Sequence, residues 1–415
     1  MKILFITHYF QPEPNFFFGL PLAREFVKRG HEVQVITGFP NYPGGRIYDG
    51  YKGKLFMREN MEGVEVLRFP LYPSHDQSAV KRILCYLSLS TSMSLFAPFI
   101  IKKADIAYVI QGPATLGLPA VILKWFRNIP FVYNIQDVWP DSLLSTGMFK
   151  NGFAYKMLHS WCKFNYRNAS KNVVISQGMK SLLLDRGVPR NKIEIIYNWC
   201  DAIISESKVA NRNVADKLGF TGKFNVVFAG NMGGAQALSS VIKAAEIVQR
   251  NAPDVQFVMI GSGVEFEPLK KQVKESRLKN VIFHGRKPVE EIGGILKLAD
   301  VLLVHLRKDP LFEITIPSKT QAYLSLGRPI LMCVEGNCAD IVKDAGAGFC
   351  CEPENPEEIA KEVIKLSKAS PKQLCTIGKK GKKYYDDKMS LSTAVDNLEE
   401  MFFSVQGKNG EYRKA

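Results

Sequence analysis

Glu313 and Lys319 lie on either side of a proline in the run Glu313-Ile-Thr-Ile-Pro-Ser-Lys-Thr-Gln-Ala-Tyr-Leu-Ser-Leu-Gly-Arg-Pro-Ile330. Pro317 suits the first turn of a helix, where a missing N–H costs nothing. Leu324, Leu326 and Gly327 end that helix. A lysine in the first helical turn opposes the helix dipole, so Lys319 is better explained by an anion held beside it. Ser318 and Gln321 are polar neighbours on the same turns. The chemistry this spacing suits is anion binding at a helix N-terminus, with Glu313 as a carboxylate in the preceding loop.

Two glycine-rich segments extend the pattern. Gly230-Asn-Met-Gly-Gly234 and Gly261-Ser-Gly263 each follow an apolar run. Glycines there let the backbone approach a phosphate or a ring closely. Asn231, Gln236, Gly261, Ser262 and Gly263 therefore join the candidate ligand-binding residues, with Arg286 as a source of positive charge. His284 ends another apolar run, where it either approaches a nucleotide base or packs into the core. Together these residues point to a nucleotide diphosphate. A redox dinucleotide would require Gly-x-Gly-x-x-Gly after the first strand. That place holds His8-Tyr-Phe-Gln-Pro-Glu-Pro-Asn15 and one late glycine, Gly19, and no Walker A lysine loop occurs. Asp137 follows an apolar run, where it either orients a hydroxyl or caps a helix; Asp141 is the better cap. His8 and Trp139 are candidates for the acceptor side.

These residues need elements to hold them. Apolar runs at 3–7, 33–36, 64–69, 106–110, 131–135, 173–176 and 193–197 read as strands, mostly with helical segments between. A polar stretch, 198–222, reads as a linker. The alternation restarts with strands at 224–229, 255–260, 281–283, 301–304 and 330–334, and a helix over 237–250. Short apolar strands alternating with helices argue for an α/β fold of two doubly wound, Rossmann-like parallel-sheet domains. The expected domains are 1–200 and 201–388, facing across a cleft, with a helix over 389–406 packing back toward the first.

The chain's 415 residues suffice for two full cores. Its net charge of +15 is unevenly placed. Residues 1–200 hold 24 Lys and Arg against 13 Asp and Glu, a net of +11, leaving 31 against 27, a net of +4, for the rest. The first half therefore carries a field suited to an anionic surface or substrate. No helix-turn-helix, zinc-finger or RNP-type motif supports nucleic acid as that partner. Eight cysteines form no CxxC, and Lys2 leads straight into a strand, so no signal peptide, reduced thiols and a cytoplasmic location are expected. Ile83 and Ile101 bound 19 residues without a charge, bracketed by Lys81-Arg82 and Lys102-Lys103. Serines crowd the middle and Pro98 interrupts it. This reads either as an internal helix or as one lying in a bilayer interface, its basic flanks on anionic headgroups.

The motifs carry a family resemblance along nearly the whole chain. Arg29-Gly-His-Glu-Val33 and the opening strand and loop resemble the N-terminal signature of family 4 retaining glycosyltransferases of GT-B architecture. Thr37-Gly-Phe-Pro-Asn-Tyr-Pro-Gly-Gly45, Tyr48-Asp-Gly-Tyr51, Gln136-Asp-Val-Trp-Pro-Asp141, Tyr197-Asn-Trp-Cys-Asp201 and Ile316-Pro-Ser-Lys319 are narrower. They resemble the bacterial O-antigen and capsule branch typified by N-acetylfucosaminyltransferase-like proteins.

The resemblance implies transfer of a sugar from a nucleotide-sugar, UDP favoured, to an acceptor hydroxyl with retention and without a metal or other cofactor. It implies an undecaprenyl-diphosphate-linked saccharide as acceptor and a peripheral place on the inner face of the cell membrane. Glu313 matches the first Glu of the family's Glu-x7-Glu signature, beside the donor sugar. Gln321 stands where the second is expected, with Ala322 after it, and Asn231 and Gln236 stand roughly where an Arg and a Lys often neutralise the diphosphate. Lys319 and Arg286 are the substitutes expected for that task. Gly19 aligns with the glycine loop facing the donor phosphates. Two alternatives stay open: a non-hydrolysing UDP-N-acetylglucosamine 2-epimerase-like enzyme, and a degenerate, non-catalytic nucleotide-sugar-binding protein.

Overall fold

A computed structural model describes residues 1–14, 18–74, 78–142 and 152–407. The chain forms two compact units, Met1–Tyr197 joined by the chain from Ala394 onward, and Asn198–Thr393.

Among the described residues the first unit holds eight strands: β1 (Lys2–Ile6), β2 (Glu32–Gly38), β3 (Met57–Met61), β4 (Val64–Phe69), β5 (Ile106–Ile110), β6 (Phe131–Ile135), β7 (Lys171–Val174) and β8 (Ile193–Ile195). Their order is β3-β4-β2-β1-β5-β6-β7-β8. All neighbours run parallel except β3, which pairs antiparallel with β4. Strands β5 and β6 are buried at every residue, as a sheet covered on both faces requires. Edge strand β3, Met-Arg-Glu-Asn-Met, is polar and was not expected as a strand; its charges suit an edge.

A buried polar network fixes the loops beyond β1 and β2. The Glu13 carboxylate accepts the Asn41 and Tyr42 backbone N–H groups at 2.7 and 2.8 Å. Burial pushes that carboxyl above its ordinary range. Arg68, fully buried, donates to Glu59 at 2.5 Å, to the Gly38 carbonyl at 3.2 Å and to the Gln11 carbonyl, with Tyr51 stacked on its guanidinium. The helix Leu391–Val405 completes this unit. Its Phe402 ring lies 5.7 Å from both Phe26 and Tyr108. Arg29 donates to Asp396 and Glu399 at 2.5 and 2.6 Å, and His31 Nε2 meets Glu399 at 2.6 Å.

The second unit is a six-stranded, fully parallel sheet of β9 (Phe224–Asn231), β10 (Val255–Ser262), β11 (Val281–His284), β12 (Val301–His305), β13 (Ile330–Cys333) and β14 (Gly348–Cys350), in the order β11-β10-β9-β12-β13-β14. Its helix Leu238–Asn251 buries Leu238, Val241, Ile242, Ala245 and Val248 against Phe228 and Phe257 of the sheet, at helical spacing. The stretch expected as a linker instead belongs to this unit. It forms short helices Ala202–Ser205 and Arg212–Lys217 and docks on Gly293 and Gly294, whose missing side chains admit it; Ala210 N–H donates to the Gly294 carbonyl at 3.0 Å. Strand order reverses between β9 and β12, so the loops after these two strands diverge at a switch point on the carboxyl edge, where ligands of open α/β sheets bind.

Candidate functional site

The end of β9 sets the geometry. Gly230 has φ +138°, and a Cβ there would come within 2.7 Å of Lys319 Cε. Across the β9–β10 pair, Gly261 has φ +139°, and a Cβ there would meet the Gly230 carbonyl oxygen at 1.9 Å. Two strand ends thus approach backbone to backbone, which only glycine permits. Above them lies a cavity of about 330 Å³. Ala229, Gly230, Ile260 and Gly261 form its floor, Ile292 an apolar wall, and Asn231, Ser262, Arg286 and Lys287 its polar side. The lining holds two cations and no carboxylate, an arrangement that favours an anion. The structure therefore brings together Asn231, Gly261, Ser262 and Arg286 as expected, and adds Lys287 and Ile292.

Lys319 sits in the first turn of helix Ser318–Leu326, behind Pro317 at the cap position. Its Nζ lies 3.7 Å from the centre of the Phe228 ring, and no carboxylate pairs with it among the described residues. Burial pushes its pKa down to about 7. A cation this poorly served by its own fold is stabilised by any anion arriving at Gly230.

The β9 loop is held by a residue the sequence reading missed. His305, fully buried at the end of β12, donates from Nδ1 to the Gln236 carbonyl at 2.7 Å. That bond fixes Nε2 as the acceptor of the Glu354 N–H at 3.1 Å. Desolvation lowers the His305 pKa, keeping the ring neutral. The Gln236 side chain in turn accepts from the Gly233 N–H at 3.0 Å and lies 3.4 Å from Asn231 Nδ2. Gln236 is thus a brace of the loop. A histidine ending a strand was the only signal in the sequence, and it attached to His284 instead.

The remaining candidates are placed as follows. Glu313 lies exposed on a one-turn helix, Pro310–Ile314, after β12; it is on the same sheet edge but outside the cavity lining. Ser318 is exposed at its helix start, and Gly263 continues the β10 loop, its carbonyl accepting the Phe266 N–H at 3.1 Å. Gln321 departs from expectation. It is buried, and its amide nitrogen faces the Pro317 and Ser318 carbonyls at 2.9 and 3.2 Å, so it braces the helix start and offers no group to a ligand hydroxyl. His284 likewise donates from Nε2 to the Leu218 carbonyl at 3.0 Å, tying the docked segment to the sheet, and lies outside the cavity lining.

In the first unit His8 also departs from expectation. Its ring is buried against Tyr9 and Tyr86, and burial lowers its pKa to about 3, so it lines no open surface and carries no charge. Gly19 is buried at the start of helix Leu20–Lys28, beside the Leu20 N–H bond to Gln11 at 2.6 Å. Asp137 follows β6 with its side chain open to solvent, while the protein atoms around it raise its carboxyl above the ordinary range. Trp139 is half-buried, and its carbonyl accepts from Arg186 at 3.0 Å; Arg186 also pairs with Asp141.

Comparison with known proteins agrees with this architecture. Residues 20–199 match the glycosyl transferase 4-like domain, and residues 211–384 match glycosyl transferases group 1. The chain is 26% identical over 269 residues to the probable glycosyltransferase WbjE of Pseudomonas aeruginosa, covering 64% of this chain and 66% of that protein. It is 27% identical over 352 residues to the putative colanic acid biosynthesis glycosyl transferase WcaI of Escherichia coli, covering 81% and 84%. Among solved structures it resembles Anabaena Alr3699/HepE in complex with UDP (TM-score 0.69, 16% identity, 97% of this chain and 100% of that one). It also resembles sucrose-phosphate synthase from Thermosynechococcus elongatus (TM-score 0.71, 14% identity, 98% and 99%). The two parallel-sheet α/β units and these fold neighbours show the GT-B architecture, and the two family models, together spanning most of the sequence, support a family 4 glycosyltransferase.

Proposed function

We propose that this glycosyltransferase moves a sugar with retention from a nucleotide-sugar to a lipid-linked saccharide during bacterial surface polysaccharide synthesis. The observation that carries the donor reading is the glycine-floored cavity with Arg286 and Lys287 in its lining and Lys319, outside that lining, close against Gly230. A diphosphate there gains Coulomb attraction and backbone donors, while no carboxylate in the lining opposes it. UDP is the favoured nucleotide, in keeping with the UDP in the Anabaena structure. The relation to WcaI, a putative colanic acid biosynthesis glycosyl transferase, supports a place in polysaccharide biosynthesis, and the narrower motifs favour an N-acetylaminosugar as the cargo.

In this reading Lys319, Arg286 and the helix start stabilise the departing diphosphate, where charge develops. The acceptor hydroxyl attacks on the face the leaving group vacates, and its proton passes to the leaving phosphate. Glu313 meets the donor sugar and Asp137 orients the acceptor. No metal or other cofactor is needed, since the protein's cations and amides carry the charge. The acceptor is an undecaprenyl-diphosphate-linked sugar, reached by the basic first unit at the anionic inner face of the cell membrane.

Calorimetric titration of the protein with UDP, GDP and TDP tests the donor reading. Binding of UDP in preference to the others supports it, and absence of binding by all three overturns it. Glu313→Ala should then retain nucleotide affinity and lose transfer to a lipid-linked acceptor. Full transfer by that variant removes Glu313 from its role.

A further inference from the structure

The helix Ala79–Ile100 is apolar on two faces: Cys85, Leu89, Met93 and Ala97 are buried in the fold. Three of its serine hydroxyls are bonded to carbonyls. Ser90 donates to the Thr115 carbonyl at 2.6 Å, Ser92 to the Pro70 carbonyl at 2.7 Å, and Ser94 to the Ser90 carbonyl at 2.7 Å. A second set of large apolar side chains points outward. Val80, Leu84, Leu87, Leu95 and Phe99 follow one stripe and are 67, 48, 49, 59 and 82% exposed. A surface helix in water carries polar residues on that outer face.

The exposed apolar surface extends beyond one helix. Helix Gly117–Arg127 packs beside it, and helix Gly152–Asn168 packs beside that. The second exposes Trp125 and Phe126, the third Phe153 and Met157. Trp125 and Phe164 lie 6.3 Å apart, bridging these two helices. The loop residue Phe56 stacks edge-on against Phe96 at 5.2 Å, extending the surface on the other side. None of the three helices contains an Asp or Glu, while together they carry Lys81, Arg82, Lys124, Arg127, Lys156, Lys163 and Arg167. Apolar side chains exposed on neighbouring helices whose charged residues are all cations match the acyl boundary and headgroups of an anionic bilayer.

We infer that these three helices form one in-plane insertion face that seats the first unit in an anionic membrane leaflet. This rests on the membrane-facing reading of that unit and specifies its contact. The first helix is long and apolar enough to cross a bilayer, but 44% of its most apolar window is buried in the fold. Crossing would strip the Ser90 and Ser92 hydroxyls from their carbonyl partners, whereas lying in the plane keeps them and immerses only the outward stripe. Trp125 sets the depth at the headgroup level, the usual position of an interfacial tryptophan.

The test is co-sedimentation of the full chain with phosphatidylcholine vesicles, with and without about 30% phosphatidylglycerol. Binding should require the anionic lipid and should weaken at least about tenfold in Leu87→Glu and in Phe99→Glu, both exposed positions whose exchange leaves the core alone. Brominated acyl chains should quench the wild-type tryptophan fluorescence, and Trp125→Phe should lose most of that quenching. Absence of vesicle binding overturns the inference, as does binding indifferent to both glutamate substitutions. So does a protein dimer that these substitutions break in the absence of lipid, which would identify a second copy as the occupant. Because no donor is present, any of these results leaves the nucleotide titration to judge the transferase reading by itself.

Discussion

Replacing Lys319 by Met should make the empty protein more stable and the donor site worse. Burial beside Phe228 and Gly230 moves the Lys319 pKa from 10.5 to about 7. The displacement corresponds to about 5 kcal/mol against the ammonium form, an upper bound because the long side chain relaxes. The sign follows from linkage. Above pH 10.5 the group is neutral in both folded and unfolded chains and costs nothing. As pH falls from there to 7 the unfolded chain takes up a proton that the folded chain refuses, and stability declines; below 7 the cost is complete. Urea unfolding of K319M should therefore exceed wild type most at pH 7, with the difference shrinking toward pH 10. A bound diphosphate restores the ammonium, so binding above pH 7 must take up a proton. Wild-type affinity for UDP should fall by up to about tenfold per pH unit between 7 and 9, while K319M binds weakly with a flat profile. Titrations in two buffers of different ionisation heat measure the proton directly. Equal pH slopes in the two proteins, or no proton uptake by wild type at pH 8.5, would refute the placement of Lys319 against the ligand.

Three further outcomes follow from the same geometry. Gly261→Ala should cost at least about 2 kcal/mol in denaturant unfolding, because its φ of +139° and the 1.9 Å approach to the Gly230 carbonyl oxygen both penalise a Cβ, and UDP binding should vanish in calorimetry. His305→Phe leaves the Gln236 carbonyl and the Glu354 N–H without their partner; destabilisation of roughly 2–4 kcal/mol and weaker UDP binding are expected, with His305→Gln recovering part of both. Arg29→Ala should lower stability by about 1–3 kcal/mol in urea unfolding, because Glu399 is buried and loses a charged partner, while UDP affinity stays unchanged.

What the sequence discloses depends on how local the physics is. Strands β5 and β6 are legible to the residue because a doubly covered strand must be apolar throughout. Charged β3 and the three-residue β14 give no such pattern, since pairing with a neighbour defines them. Lys319 stands out because it defies its own helix dipole, a conflict visible within one turn. Gln321 misleads because the carbonyls that capture it, Pro317 and Ser318, are as near in sequence as any imagined ligand. His305 escapes notice because its partners, Gln236 and Glu354, come from distant loops. The stretch from Ile83 to Ile101 shows its composition plainly and hides its orientation. Only the fold reveals that Ser90 and Ser92 are bonded inside with Leu89 and Met93, while Leu84, Leu87 and Leu95 face out.

The return of helix Leu391–Val405 to the first unit makes the order of synthesis matter. The first sheet is finished by residue 195, but Phe26, Tyr108 and Arg29 wait for partners translated some 200 residues later. Until then the emerging chain presents an apolar seat and a guanidinium whose partners Asp396 and Glu399 do not yet exist, while the entire second unit is being made. That seat is exposed apolar surface throughout the interval, the kind of surface that makes incomplete chains prone to aggregate. Proteins shortened or fused near residue 390 would leave it open for good, so a fault introduced at the end of the chain would register as instability at its beginning.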